Sequence, residues 1–300
     1  MKHVFVGLTL CLMIPVSSAF AAHDSYVSST GSDANTTTFC ERQTPCATLA
    51  TAFGVTTFNG VIHVVDQGAY GGLIITHGIT IDGGNFATTL GLGGGLLTGG
   101  VQFTIAAGAS DIVTIMNFTM SGRNFAQSAV GVTSVGGLHV QHCTFSGYTN
   151  AAIDFRATGA QIEMTDVTIS DIQSGTGVYV ANARGSLDNV HIHHTQTAVL
   201  AAGSSTVSIR RSTINGNGSG FVAAYGPTAE IHVDDCMMTN NQWAVVVSGG
   251  AKALVSRSSL FNNFITAMFN DGASSLISYG NNQFAGNASD GTFTSTVSVK

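Results

Sequence analysis

Asp154 and Arg156 stand two apart in the run AAIDFRA. Residues two apart on an extended strand share a face, so a carboxylate and a guanidinium are presented together. Glu163, Asp166 and Asp171 follow within one repeat length. Clustered carboxylates hold Ca²⁺ through hard oxygen ligands, and a neighbouring base can move a proton. The simplest role of Asp154 and Arg156 is a same-face pair; if the chain is an enzyme, Asp154, Arg156 and Asp166 are the candidate catalytic residues. Ca²⁺ enters only if that chemistry operates, and the sequence implies no other cofactor. A second pair of carboxylates, Asp234 and Asp235, has the composition needed to divide acid and base work. A third group is His191, His193 and His194, with His139 and His142 two coils earlier. No Asp, Glu or Cys is spaced to complete a tetrahedral ligand set around them, so they are read as surface histidines and no metal site is assigned.

What must position these side chains is a repeat. Phe118, Cys143, Val167, Val190, Ser212, Cys236, Ser258 and Asn282 fall into register at steps of 25, 24, 23, 22, 24, 22 and 24 residues. Around each anchor, the residues five and three before and two after are mostly apolar, as in Leu138, Val140, Cys143 and Phe145. That pattern contains two period-two strands separated by a one-residue phase break, where the chain turns a corner. A third alternating stretch follows, read as Ile153/Phe155, Val178/Val180, Val245/Val247 and Ala267/Phe269, with length variation assigned to the corner before it. The expected fold is all-β, a right-handed single-stranded parallel β-helix with three short strands per coil and about ten coils. Neither a propeller nor a leucine-rich repeat fits the period, and Thr, Ser, Gly, Val and Asn are too weak as helix formers for a helical solenoid. Handedness follows from the chirality of parallel crossovers.

The register assigns outward rows. Thr119, Thr144, Thr168 and Thr213 form a hydroxyl ladder interrupted by His191. Arg211, Asp235 and Arg257 share one outward position in adjacent coils, which favours an ion ladder over acid–base work for Asp235. Asn215, Asn217, Asn240, Asn241, Asn262, Asn263 and Asn287 crowd the corner after the second strand, where asparagine tolerates left-handed backbone. Residues 45–53 read as a short N-terminal capping helix with Thr48 near its start. Residues 61–65 and 74–81 read as two earlier coils, and the glycine-rich run over 83–100 reads as a loop.

Charged residues make up 9% of the chain, with 37 Gly, 3 Pro and a formal net charge of −6. The lysines are Lys2, Lys252 and Lys300, so no basic stripe exists to neutralise phosphates and nucleic acid is not an expected partner. Lys2, the apolar run over 4–14, Pro15 and Ala19-Phe20-Ala21 read as a secretory signal peptide over 1–21. No membrane span is expected after its removal. The remaining 22–300 reads as one β-helix domain: strand, loop and cap over 22–60, coils over 61–287, and a closing segment over 288–300. A secreted or periplasmic location permits a disulfide between Cys40 and Cys46. Cys143 and Cys236 lie four coils apart, about 19 Å at the inter-strand spacing, and should be free buried thiols.

The stretch over 26–70, YVSSTGSDAN…PCATLATAF…GVIHVVDQGAY, resembles the opening of exported β-helix proteins of the pectate-lyase-like superfold. The resemblance implies the architecture and selects no activity, because lyases, epimerases, hydrolases and proteins of unknown role share such a head. Asp234-Asp235-Cys236 is similar to the D-D-C run of polygalacturonases, but Ile214-Asn215-Gly216 stands where that family has N-T-D, and its G-H-G and R-I-K motifs are missing. The leading expectation is contact with extracellular polysaccharide through the outer strand face. The alternatives are a lyase or hydrolase of acidic polysaccharide, and a structural or adhesive protein. The aromatic residues considered for sugar stacking, Tyr148, Tyr179, Tyr225 and Trp243, do not share one repeat offset.

Overall fold

The computed structural model describes residues 23–85, 100–224 and 226–297. The leader over 1–21, most of the 83–100 run and Tyr225 lie outside the described residues. Strands pair in parallel throughout and fall into three long sheets. The first sheet starts at Ser25–Val27, Val61–Val64 and Ile79–Asp82 and continues through Gly137–Gln141, Thr206–Arg210, Glu230–Asp234 and Lys252–Ser256. The second consists of three-residue strands such as Thr144–Ser146, Thr213–Asn215 and Met237–Thr239. The third runs from Leu73–Ile75 and Val101–Ala106 to Trp243–Val247 and Thr266–Asn270. In two turns, Gln161–Ala181 and Arg184–Ala202, extended structure carries through both corners. The third sheet has nine strands among the described residues, giving about nine complete turns. Residues 74–81 are not a coil: they span the end of one third-sheet strand and the start of the next first-sheet strand.

Apolar side chains stack along the axis because each turn exposes greasy edges that only its neighbours can cover. Leu138, Ile162, Val207, Ile231, Ala253 and Leu276 make one fully buried row, and Phe145, Ile169, Ile192, Ile214, Met238 and Leu260 another. A fully buried Val, Leu, Ile, Phe or Met contributes about 1.5–3 kcal/mol. Where the anchor row turns polar, its side chains satisfy backbone of the previous turn. Ser212 Oγ accepts from Val190 N (3.0 Å), Ser258 Oγ from Cys236 N (3.1 Å), and Asn282 Oδ1 from Ser258 N (3.0 Å).

The corner between the first and second sheets turns on one left-handed residue per rung. Asn117, His142, Asp166, Asn189, Arg211, Asp235 and Arg257 all have φ between 48° and 60°. The next corner carries a buried asparagine ladder. Asn241 Oδ1 accepts from Asn217 N (3.0 Å) and Nδ2 (3.1 Å), and its own Nδ2 donates to Ile214 O (3.2 Å) and Asn263 Oδ1 (3.3 Å). Asn287 continues the ladder below Asn263.

Four readings shift on contact with the structure. The helix, α1, is Leu49–Val55, later than 45–53: the Thr48 side chain accepts from Thr51 N and so sets its start, and buried Leu49 and Ala52 pack it on the first strands. In the last full turn, Leu276 and Ser278 face the core while Ile277 is outward, because four residues rather than three separate the strand from its anchor. In Thr266–Asn270, Met268 faces inward opposite Val245, and Phe269 faces out, 43% exposed. Length varies at both corners of the third sheet: from Ile153, Val178, Val199 and Phe221 to the next anchor the chain takes 14, 12, 13 and 15 residues.

Cys40 and Cys46 are joined by a disulfide with Cα atoms 5.1 Å apart. Cys143 and Cys236 are free and buried, and burial pushes both thiols up to about 12.

Candidate functional site

Asp154 and Arg156 lie on the outer face of the third sheet. The strand Ala151–Phe155 buries Ile153 and Phe155, and alternation turns Asp154 outward between them. Arg156 Nε donates to Asp154 Oδ1 at 2.8 Å, with the carboxylate 19% and the guanidinium side chain 57% exposed. The next rung places Tyr179 beside Asp154 and Leu200 beyond it. Arg156 lies over the Tyr179 ring, 4.6 Å from its centroid, a cation–π contact worth about 0.5–1 kcal/mol at an exposed position. With Asn150, Ala151 and Thr176 these side chains line an open depression of about 250 Å³. It offers a carboxylate acceptor, guanidinium donors, an amide, a hydroxyl and an aromatic ring.

Asp166 does not join this pair. It occupies the left-handed corner between the first and second sheets, φ 55°, where Asn189 Nδ2 donates to it at 2.5 Å and His142 Nε2 lies 3.2 Å away. Glu163 points from the outer face of the first sheet toward His139 (3.5 Å), and Asp171 sits at the second corner 3.3 Å from His194. The carboxylates are thus distributed over separate faces and corners. Among the described residues, no three His, Cys, Asp or Glu side chains stand together as a metal ligand set, and Asp166 lies at a corner apart from the Asp154–Arg156 pair. The five histidines also diverge: His191 interrupts the threonine row between Thr168 and Thr213, while His193 and His194 approach each other at 3.4 Å.

Asp234 and Asp235 separate in role. Arg257 grips Asp234 with Nε at 2.9 Å and with Nη2, and Ser256 Oγ adds a bond of 2.6 Å. The Arg257 guanidinium holds the Asp234 carboxyl below the usual carboxylate range, outweighing the opposing effect of burial. A carboxyl held ionised in this way is a poor general acid at neutral pH. Arg211 pairs with Asp188 through Nε (2.8 Å) and Nη2, and Arg210 lies 3.3 Å from the same carboxylate. The direct ion pairs therefore run from Arg211 and Arg257 back to an aspartate at the end of the preceding rung, while Asp235 acts on both arginines only through space. A left-handed corner redirects the side chain across the rung, which same-column alignment does not reveal.

Tyr148 is 1% exposed and donates to Gln102 Oε1 at 2.6 Å, so it cannot stack on a sugar. The repeat pattern does not reveal the role of Tyr179 as a platform for Arg156 or the outward turn of Phe269. The available signal was the adjacency of Asp154 and Tyr179 in consecutive repeats.

The profile of a family described as "Right handed beta helix region" matches residues 128–288. No curated protein matches the sequence. Among solved structures, a pectin methylesterase mutant in complex with a hexasaccharide is 13% identical with a TM-score of 0.50, covering 91% of this chain and 92% of its own. A pectin methylesterase from Aspergillus niger is 12% identical with a TM-score of 0.36, covering 92% and 90%. At 13% identity the first likeness concerns the fold alone.

Proposed function

Because the chain belongs to the right-handed β-helix family, we propose that it is an exported, polysaccharide-associated protein that engages its ligand on the outer face of the third sheet. The observation that carries this reading is the open depression at Asp154, Arg156 and Tyr179, where hydrogen-bonding groups surround a partly exposed ring. A saccharide asks for that combination: polar partners for its hydroxyls and a flat apolar surface for its C–H face. A solved protein of the same fold binds a hexasaccharide, which makes oligosaccharides the first class to test. The residues over 1–21 support export.

The reading is one of binding, not catalysis. Asp154 is occupied by Arg156, and the other carboxylates that would share the chemistry lie on a separate face or at separate corners. Binding to a glycan array by the full chain, lost in Tyr179→Ala and Arg156→Ala, is the expected result. Silence across a broad polysaccharide panel by folded protein refutes it. Incubation with polygalacturonate or alginate and Ca²⁺ is expected to give no ultraviolet-absorbing unsaturated product, and its appearance would restore a lyase.

A further inference from the structure

Beyond the depression, the outer face of the third sheet carries a continuous apolar row. Tyr179, Leu200, Val222, Val246 and Phe269 occupy one register position on five consecutive rungs, each partly exposed. At the spacing of neighbouring strands the row is about 19 Å long. Trp243, outward on the rung of Val246, joins Val246 and Phe269 around a second depression of about 210 Å³. Three residues earlier on the same rungs, Thr176, Thr197, Ser219 and Thr266 form a partly exposed hydroxyl row in which Trp243 takes the remaining place. A strip of apolar surface beside a strip of hydroxyls, open along its length, is two-sided in the way a pyranose chain is. A soluble protein seldom exposes such a strip without a partner for it.

Charge narrows the class of chain. The segments TGVYVA (176–181), TAVLA (197–201), SGFV (219–222), WAVVV (243–247) and TAMFN (266–270) contain no ionisable acid or base apart from the Tyr179 phenol. The one guanidinium at the edge, Arg156, is already neutralised by Asp154, and the chain as a whole carries −6. A polyanion laid on this face would lose hydration without gaining a counter-charge.

Resting on the reading above, we infer that the ligand is an uncharged glycan chain, such as a neutral glucan or an esterified uronan, lying across the rungs from Tyr179 to Phe269. A matched pair of polymers tests this: highly methyl-esterified homogalacturonan and the same sample after saponification, with a neutral β-glucan as a third probe. Affinity electrophoresis of the full chain should show retardation by the esterified or neutral polymer and at least about tenfold weaker binding to the saponified one. Retention should also be insensitive to added salt, because no ion pair is exchanged. Phe269→Gln and Trp243→Ala, both outward, should each weaken binding about tenfold, the equivalent of ~1.4 kcal/mol. Tyr179→Ala supplies an independent third position.

Preference for the saponified polymer, or binding that salt abolishes, overturns the uncharged class while leaving a polysaccharide partner in place. Failure to bind any of the three probes or any glycan on the array overturns the polysaccharide reading itself. Concentration-dependent dimerisation abolished by Phe269→Gln, with glycan binding unaffected, assigns the row to a second copy of the chain and overturns the inference.

Discussion

Replacing Asn241 by alanine removes one rung of the buried asparagine ladder, and its cost follows from the partners left behind. Asn241 is fully buried and makes four side-chain bonds: two accepted from Asn217, and one each donated to Ile214 O and Asn263 Oδ1. The Asn217 backbone N–H loses its partner inside the protein, a penalty of about 1–3 kcal/mol, and each remaining bond contributes about 0.5–1.5 kcal/mol. Asn217 Nδ2 keeps Ile192 O, and Asn263 Oδ1 keeps the backbone N–H at 241, so the losses do not propagate. Together they predict a destabilisation of about 2.5–7.5 kcal/mol. Backbone strain does not enter, because the left-handed residue is Asn240 and not Asn241. Equilibrium urea unfolding measures it, followed by far-ultraviolet circular dichroism and by fluorescence of Trp243, the only tryptophan, two residues along the chain. Asn215→Ala, at an exposed position of the same corner, is the control and should cost below about 1 kcal/mol. An Asn241→Ala loss under about 1 kcal/mol would refute the view that this ladder secures the corner.

Two further outcomes follow from groups held away from their ordinary ionisation. The folded pKa of Asp234 lies below its unfolded value, so the stability it supplies is present above about pH 3.9 and is lost as pH falls through the folded value. Asp234→Asn should therefore be less stable than the parent near neutrality by under about 1 kcal/mol, given the partial exposure of the pair. The gap should close in acid, and a gap that widens there contradicts the assignment. Cys143 and Cys236, with thiols pushed up to about 12, should resist alkylation in native protein near pH ~8 and both react in denaturant; stoichiometric labelling of the native state would contradict their burial.

The anchor row and the two rows flanking it were legible in the sequence because strict alternation around Cys143, Val167, Val190 and Cys236 encodes which side chain turns inward. The threonine row was legible for the same reason. The third sheet was harder. Val245-Val246-Val247 and Thr266-Ala267-Met268-Phe269 place apolar residues on both faces, so alternation no longer distinguishes core from surface, and the pattern points Phe269 inward where the structure turns it out. Its neighbours Leu200 and Val222 were hidden in the same way, which concealed the apolar row on which the glycan inference rests. For the candidate site, the Asp154–Arg156 pair followed from two-residue spacing alone. The separation of Asp166 did not, since it depends on which corner of the turn the residue occupies, and loop lengths varying at two corners obscure that count.

The left-handed residue at the first corner is occupied by Asn, His, Asp, Asn, Arg, Asp and Arg on successive rungs from 117 to 257. A backbone conformation that usually selects glycine or asparagine here accepts acids, bases and neutral side chains alike. None of these seven side chains contributes to the interior. The molecule therefore carries along one edge a column of outward positions at a fixed pitch, where side chains of differing polarity and charge stand on one backbone conformation around a packed centre that does not vary with them.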